Sequence, residues 1–226
     1  MTNVSRLWPA PGIEPVNHWG ELAGKLGVVR PPAYILERPL LICLRGVRPF
    51  DEATHPMRSV AAYDDTGVFL HYDGAPMVFP MSSHAYQVNS KLSPDVDADG
   101  LGDVGTIVPG RYVLKDLHDG KYPTFHVLAA DMADRIPCWR DTDHDGIISH
   151  DERQRVYSAT AILIHGGIDD PPDSPHHYSI GCQCVPLVWR RKLVQHAKGG
   201  FIDYILIDAE KAAELVDAPS GPEGVV

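Results

Sequence analysis

The sequence predicts a mainly β fold with a few helices, a β-rich α+β class. Three observations carry this. Short apolar runs recur along the chain, bounded by Pro, Gly and Asp, as strands are. Only a few stretches carry a helical signal with recognisable start and stop residues. No Gly-rich phosphate loop and no regular strand–helix alternation is present, so the pattern is not that of a nucleotide-binding α/β fold.

Residues 1–38 are rich in Pro and Gly and weakly periodic. They read as an irregular arm with a short helix around Trp19 to Leu26. A single β-rich domain is expected over 39–210, with a polar tail over 211–226. The run RPLLICLRG (38–46) is a first strand. SVAAYDDTGVFLHYDG (59–74) reads as a hairpin turning at Asp64-Asp65-Thr66-Gly67. PGRYVLKDL (109–117) and YPTFHVLAA (122–130) form another pair, broken at His118-Asp119-Gly120. ATAILIHGG (159–167) is continuously apolar up to its histidine, which predicts burial on both faces. One helix is expected after Asp151. Another is expected over VPLVWRRKLVQHAK (185–198), opening at Pro186 and stopping before Gly199-Gly200, with Arg190, Arg191 and Lys192 as its polar face. FIDYILIDA (201–209) is a last strand, followed by a short helical stretch.

The chain has 226 residues and a net charge of −10. That charge argues against a nucleic-acid binder, which needs clustered Lys and Arg to neutralise phosphates. No apolar stretch approaches the roughly 18 residues of a membrane span. The start, MTNVSRLWPAPGIEPVNHWG, lacks the basic-then-apolar pattern of a secretory signal. Synthesis in the cytoplasm is therefore expected. The cysteines, Cys43, Cys138, Cys182 and Cys184, are too few for a disulfide scaffold. A Cys43–Cys138 bridge and a free buried thiol at each position both fit the count.

Residues 141–152, DTDHDGIISHDE, have the ligand spacing of an EF-hand-type calcium loop. Asp141, Asp143 and Asp145 stand at positions 1, 3 and 5, and Gly146 supplies the sharp turn at 6. Ile147 offers its carbonyl at 7, Ser149 stands at 9, and Glu152 at 12 can bind through both oxygens. Hard oxygen donors at this spacing suit Ca²⁺, and without a cation the carboxylates repel one another. Pro137 disfavours an entering helix, so only an exiting helix is expected. A structural ion fits that better than a sensor, which needs two helices that open. A second run, DVDADGLGD (95–103), repeats the alternating acids with Asp95, Asp97, Asp99 and Asp103, but Thr106 stands at position 12. A looser Ca²⁺ site and a solvated loop are its two readings.

The chemistry-bearing residues lie further on. His165 closes the apolar run at Ile164-His165-Gly166-Gly167, and Cys182 sits in the turn Ser179-Ile180-Gly181-Cys182. Small residues before the cysteine allow a tight turn with backbone N–H groups free for an oxyanion. The helix starting just beyond is expected to lower the thiol pKa. A thiol and an imidazole that meet in space make a nucleophile–base pair.

The pattern His-Gly, a loop of about a dozen residues, then Ser-x-Gly-Cys resembles the active-site signature of the L,D-transpeptidase catalytic domain family. The run Val108-Pro109-Gly110-Arg111-Tyr112 is similar to the strand that precedes the family's core. The likeness covers roughly residues 105–190 and extends to phage-like and effector-like members with Gln after the nucleophile, as Gln183 is here. It implies a β-sandwich or barrel and acyl transfer on peptidoglycan stem peptides. By this resemblance Cys182 is the nucleophile and His165 the base. Ser179 shapes the site, Gly166 allows close approach, and Gly181 lines the oxyanion hole. The chain departs from the signature at Ile180, where His is usual, and at Cys184, where Arg is usual. Action in the cell envelope would require a phage-type or secretion-system route.

Three other readings compete. The same fold can hydrolyse cell-wall peptides as an L,D-carboxypeptidase or endopeptidase. The chain can be a calcium-stabilised structural or binding module without activity. His165, His176, His177, Cys182 and Cys184 also offer zinc ligands, although Cys-x-Cys is one residue short of the usual knuckle spacing. His84, His126, Tyr112, Trp139 and Tyr178 are candidates for a substrate cleft and equally for packing.

Overall fold

The protein is described by a computed structural model covering residues 1–27, 38–56, 63–71, 74–84, 90–117, 124–166, 179, 181–197 and 200–217. Its strands are β1 (Leu40–Arg45), β2 (Asp65–Leu70), β3 (Met77–Met81), β4 (Gly105–Ile107), β5 (Gly110–Asp116), β6 (Phe125–Ala129), β7 (Ile136–Arg140), β8 (Tyr157–Ala159), β9 (Leu163–His165), β10 (Gln183–Cys184) and β11 (Phe201–Asp208). Its helices are α1 (Pro15–Lys25), α2 (Leu187–His196) and α3 (Ala209–Asp217). The fold is thus mainly β with helices at the periphery, as the short apolar runs predict.

Eight strands form one sheet in the order β10-β9-β6-β5-β11-β1-β2-β3. The pairs β1–β11 and β9–β10 are parallel and the others antiparallel. Ser82, just after β3, exchanges two backbone hydrogen bonds of 2.8 Å with Cys184 in β10. The sheet therefore nearly closes into a barrel, which removes most of the unpaired edge that an open sheet exposes. Strands β4, β7 and β8 form a second, three-stranded sheet.

Side-chain alternation along the strands builds two cores. One face carries Leu41, Cys43, Phe69, Phe79, Tyr112, Leu114, Phe125, Val127, Ile164 and Tyr204, and it takes in Ile107, Ile136 and Cys138 of the small sheet. Leu193 of α2 packs into the same core, and Trp189 stacks on Phe79 with centroids 5.2 Å apart. The opposite face of β1, β2 and β11 offers Leu40, Ile42, Leu44, Val68, Leu70, Ile205 and Ile207. It is covered by Trp19, Leu22 and Ala23 of α1 and by Ala209, Ala212 and Ala213 of α3. Buried Arg45 joins the barrel to the small sheet, donating from Nε to Ser83 Oγ at 2.8 Å and from Nη2 to the Ile107 carbonyl at 2.7 Å.

Several sequence expectations are corrected here. The described part of the N-terminal segment is not a loose arm. Its helix begins at Pro15, as suits a proline in the first turn, and it is part of the second core. Asp65, Thr66 and Gly67 do not turn a hairpin but begin β2, which pairs with β1 and β3. They are held in the strand because Asp65 accepts the N–H groups of Gly46 and Ser83, each at 2.7 Å, and Thr66 donates to the Val47 carbonyl at 2.8 Å. The run 159–167 is not one strand. Ala161 has φ +55°, and its N–H donates to Asp134 Oδ1 at 3.0 Å, which separates β8 from β9. In β9 only the central residue is buried, not both faces. The helix expected after Asp151 is a single 3-10 turn, Glu152–Gln154. None of the four cysteines is in a disulfide, so the Cys43–Cys138 bridge does not form. The break at 118–120 and the residues Gly167, His176, His177, Tyr178 and Ile180 lie outside the described residues.

Candidate active site and acidic loops

Strands β9 and β10 bring the cysteine and the histidine into one neighbourhood. They pair in parallel with Gln183 opposite Ile164 and Cys184 opposite His165. The Val185 N–H donates to the His165 carbonyl at 2.8 Å, extending the pairing. Ile164 and Gln183 are fully buried in the barrel, and Gln183 Oε1 accepts the Tyr204 hydroxyl at 2.5 Å. Alternation then puts Leu163 and His165 on the other face, with Cys182 and Cys184 beside them. His165 and Cys182 are half-buried diagonal neighbours, two residues apart in register.

The turn before the nucleophile candidate is held by its own residues. Ser179 Oγ donates to the Cys182 carbonyl and accepts the Gly181 N–H at 3.3 Å. Gly181 has φ +154°, a conformation that disfavours other residues, and its Cα faces Gly105. Ser179 thus holds the turn together. The Gly181 N–H, expected in an oxyanion hole, is directed at Ser179 instead. Gly166 is also required sterically: a Cβ there would stand 2.5 Å from the Val185 carbonyl oxygen. That carbonyl accepts Nε of Arg190 at 2.8 Å, so Arg190 is a buried brace and not part of an exposed polar face.

The expectation of a lowered thiol pKa is not met. Burial pushes the Cys182 thiol up, and the Leu163 backbone N–H pulls it back only in part. The strand β10 separates Cys182 from the start of α2 at Leu187, so the helix dipole, which acts within about one turn, contributes little. Cys182 therefore rests as a thiol.

The carboxylates of the 141–152 loop accept hydrogen bonds from the loop's own backbone. Asp141 Oδ2 accepts the Gly146 N–H at 3.0 Å, Asp143 Oδ1 the Asp145 N–H at 3.2 Å, and Asp145 Oδ1 the Ile147 N–H at 2.7 Å. Glu152 folds back over the loop and accepts the N–H groups of Thr142 and Ser149 at 2.6 and 2.8 Å. Ligand oxygens of Asp141, Asp143 and Glu152 lie within 4.8 Å of one another. Asp141 is 1% exposed, and its Oδ1 has no hydrogen-bond partner. Burial, with Glu152, Asp143 and Asp145 close by, pushes Asp141 up to about 6. Burial also pushes Glu152 up, but the donors from Ser149 and Thr142 outweigh it and hold that carboxyl below its usual range. In the 95–103 loop, oxygens of Asp95, Asp97 and Asp99 come within 4.8 Å of one another. Asp103 lies beneath them, fully buried, with Oδ2 accepting the Val96 N–H at 2.6 Å.

The remaining candidates separate. His84 is buried with Nε2 unpartnered, and burial followed by the Arg45 charge lowers its pKa to about 3. His126 pairs with Asp134 at 3.1 Å. Tyr112 and Trp139 are buried, which suits packing better than stacking on a substrate. Among the described residues, no three-residue cluster of metal-ligand type includes Cys182 or Cys184. Three contributors escaped the sequence reading: the Leu163 N–H at the sulfur, the Arg190 brace, and Gly105 behind Gly181. The Leu163 and Gly105 contacts join distant segments, and Arg190 stands in a run that reads as the polar face of a helix.

Among the described residues no helix is long and apolar enough to cross a membrane. Compared with protein-family models, curated proteins and solved structures, the chain matches none of them.

Proposed function

We propose that this protein is a cysteine acyltransferase of the L,D-transpeptidase type, acting on peptidoglycan stem peptides and carrying structural Ca²⁺ in its 141–152 loop. The observation that carries the reading is the β9–β10 register, with His165 and Cys182 diagonal on one face. A thiol raised by burial fits a general-base mechanism better than a preformed thiolate. In the first half-reaction Cys182 Sγ attacks a stem-peptide carbonyl while His165 takes the thiol proton. The C–N bond breaks, the leaving amine receives that proton from the imidazolium, and a thioester remains. In the second, an amine or water attacks the thioester and the proton returns to sulfur. An amine gives a cross-link or exchange, and water gives hydrolysis. Ser179 positions the turn and is not itself a reacting group.

The calcium part is supported by Asp141, whose buried Oδ1 lacks a donor in a cluster of carboxylates. Ca²⁺ accepts six to eight oxygens at about 2.3–2.6 Å. Asp141, Asp143, Asp145, the Ile147 carbonyl and both oxygens of Glu152 supply that chemistry, with Ser149 at the remaining position. Envelope action after phage-type or secretion-system delivery belongs to the same proposal.

The test is product analysis with defined muropeptides in Ca²⁺-containing buffer. Mass-identified cross-linked or exchanged products, absent with Cys182→Ala, are expected. His165→Ala should slow turnover roughly 100- to 10,000-fold, the usual contribution of a general base. Shortened stem peptides alone would favour the carboxypeptidase reading. No product under any condition would favour the non-enzymatic module.

A further inference from the structure

The two acidic loops are built alike and lie against each other. In the first, Ala98 has φ +67° and Gly100 φ +92°; in the second, His144 has φ +58° and Gly146 φ +81°. The first aspartate of each accepts its loop glycine's N–H at 3.0 Å. The second aspartate of each accepts at 3.2 Å and the third at 2.7 Å. His144 Nε2 reaches from one loop to Asp99 Oδ2 of the other at 3.2 Å, with Asp103 Oδ1 at 3.6 Å.

Loop geometry alone does not make an ion site, but each loop also holds a buried carboxylate. Asp103 is 0% exposed and Asp141 1%; Oδ1 of neither accepts a hydrogen bond, and Asp103 Oδ1 faces His144 Nε2 at 3.6 Å, beyond hydrogen-bond range. A buried carboxylate oxygen without a donor is unfavourable unless a cation meets it. The Val96 N–H donates to Asp103 Oδ2 at 2.6 Å, so the Asp103 carboxyl reaches into the first loop.

Both loops are anchored on the start of β4. The Asp141 N–H donates to the Val104 carbonyl at 3.2 Å. Arg140, paired with Gly105 across β4 and β7, donates to the Asp103 carbonyl at 2.9 Å. Gly105 then meets the nucleophile turn: a Cβ on Gly181 would stand 3.4 Å from its carbonyl oxygen and 3.7 Å from its Cα. The path from ion ligands to Cys182 therefore runs Asp141 and Asp103, Val104 and Gly105, Gly181, Cys182.

We propose that the 95–103 loop is a second Ca²⁺ site and that the two ions together brace the start of β4 against Gly181, which makes the order of the Cys182 turn depend on Ca²⁺. This rests on the reading of Cys182 as the nucleophile and of 141–152 as a calcium loop. When the ions leave, carboxylate repulsion draws Asp103 and Asp141 apart, Gly105 withdraws, and the half-buried thiol opens to solvent.

The experiment uses the full chain, stripped with chelator and titrated with CaCl₂ by calorimetry. In parallel, iodoacetamide labelling of each cysteine is followed by peptide mass mapping in excess Ca²⁺ and in excess chelator. Two ions per chain are expected, with Cys182 labelled about tenfold faster in chelator. The buried Cys43, Cys138 and Cys184 stay protected in both conditions. Asp95→Asn with Asp99→Asn should remove one ion and give an intermediate Cys182 rate. A single ion would overturn the second site. Equal Cys182 rates would overturn the coupling, and simultaneous opening of all the cysteines would show that the ions hold the whole fold instead of this turn. Failure of the acyltransferase reading shows separately, as absence of products from the Ca²⁺-loaded protein.

Discussion

The roles proposed for Cys182 and His165 rest on backbone register and not on a charged pair already in place. The thiol is pushed above its ordinary value of 9.0 by burial. Its alkylation rate in Ca²⁺-loaded protein should therefore climb about tenfold per pH unit from neutrality to beyond pH 9, following thiolate fraction. A plateau near neutral pH would reveal a preformed thiolate and contradict the general-base route. His84 makes a different prediction. It titrates at 6.5 when unfolded and at about 3 in the fold. Between those values the unfolded chain binds the extra proton. Stability is thus fully present above pH 6.5 and falls by roughly 1.4 kcal/mol per unit as pH drops toward 3. His84→Gln should flatten this acid limb in urea-midpoint measurements across that range; an unchanged slope would show that another group drives it. At Gly166 the added methyl of an alanine meets the Val185 carbonyl. The variant should lose about 1–3 kcal/mol in denaturant unfolding, whereas a neutral change would mean that β9 and α2 have room to part.

The elements show where the sequence spoke clearly and where it did not. Strands β1, β5, β6 and β11 were legible because each is a bounded apolar run with its own alternation. The turn at 141–152 was legible because its alternating aspartates and Gly146 are local in sequence. The hairpin expected at Asp64–Gly67 failed because Asp-Thr-Gly has turn chemistry, while the partners that hold it extended, Gly46 and Ser83, lie elsewhere in the chain. The run 159–167 failed because apolar continuity hides a break that only Ala161 and Asp134 together reveal. The nucleophile turn was visible as small residues, but Gly105 behind it was not. The proposed calcium binding acts at this scale. At a free ion concentration about 1,000 times Kd, one site adds roughly 4 kcal/mol. For a chain of this size that raises Tm by roughly 8–16 °C. Thermal unfolding in Ca²⁺ and in chelator checks it, and Glu152→Gln should remove most of the shift. An identical Tm in both buffers would argue that the loop holds no ion.

At the scale of the whole molecule, the barrel and the small sheet converge on one place. The Ser82–Cys184 bridge closes the barrel beside Cys182, and β4 brings both acidic loops to the same turn. A nearly closed barrel fixes β9 and β10 at the seam, where a slip of one residue would send Cys182 and His165 to opposite faces. The central claim is that Cys182 becomes acylated by a stem peptide. Intact-mass spectrometry of the Ca²⁺-loaded protein, mixed with a defined muropeptide and quenched in acid, tests it directly. The account predicts a thioester adduct of the donor stem peptide, less its leaving group, mapped to Cys182 and absent in Cys182→Ala. An unmodified mass at every time point, or an adduct that persists in Cys182→Ala, would contradict it.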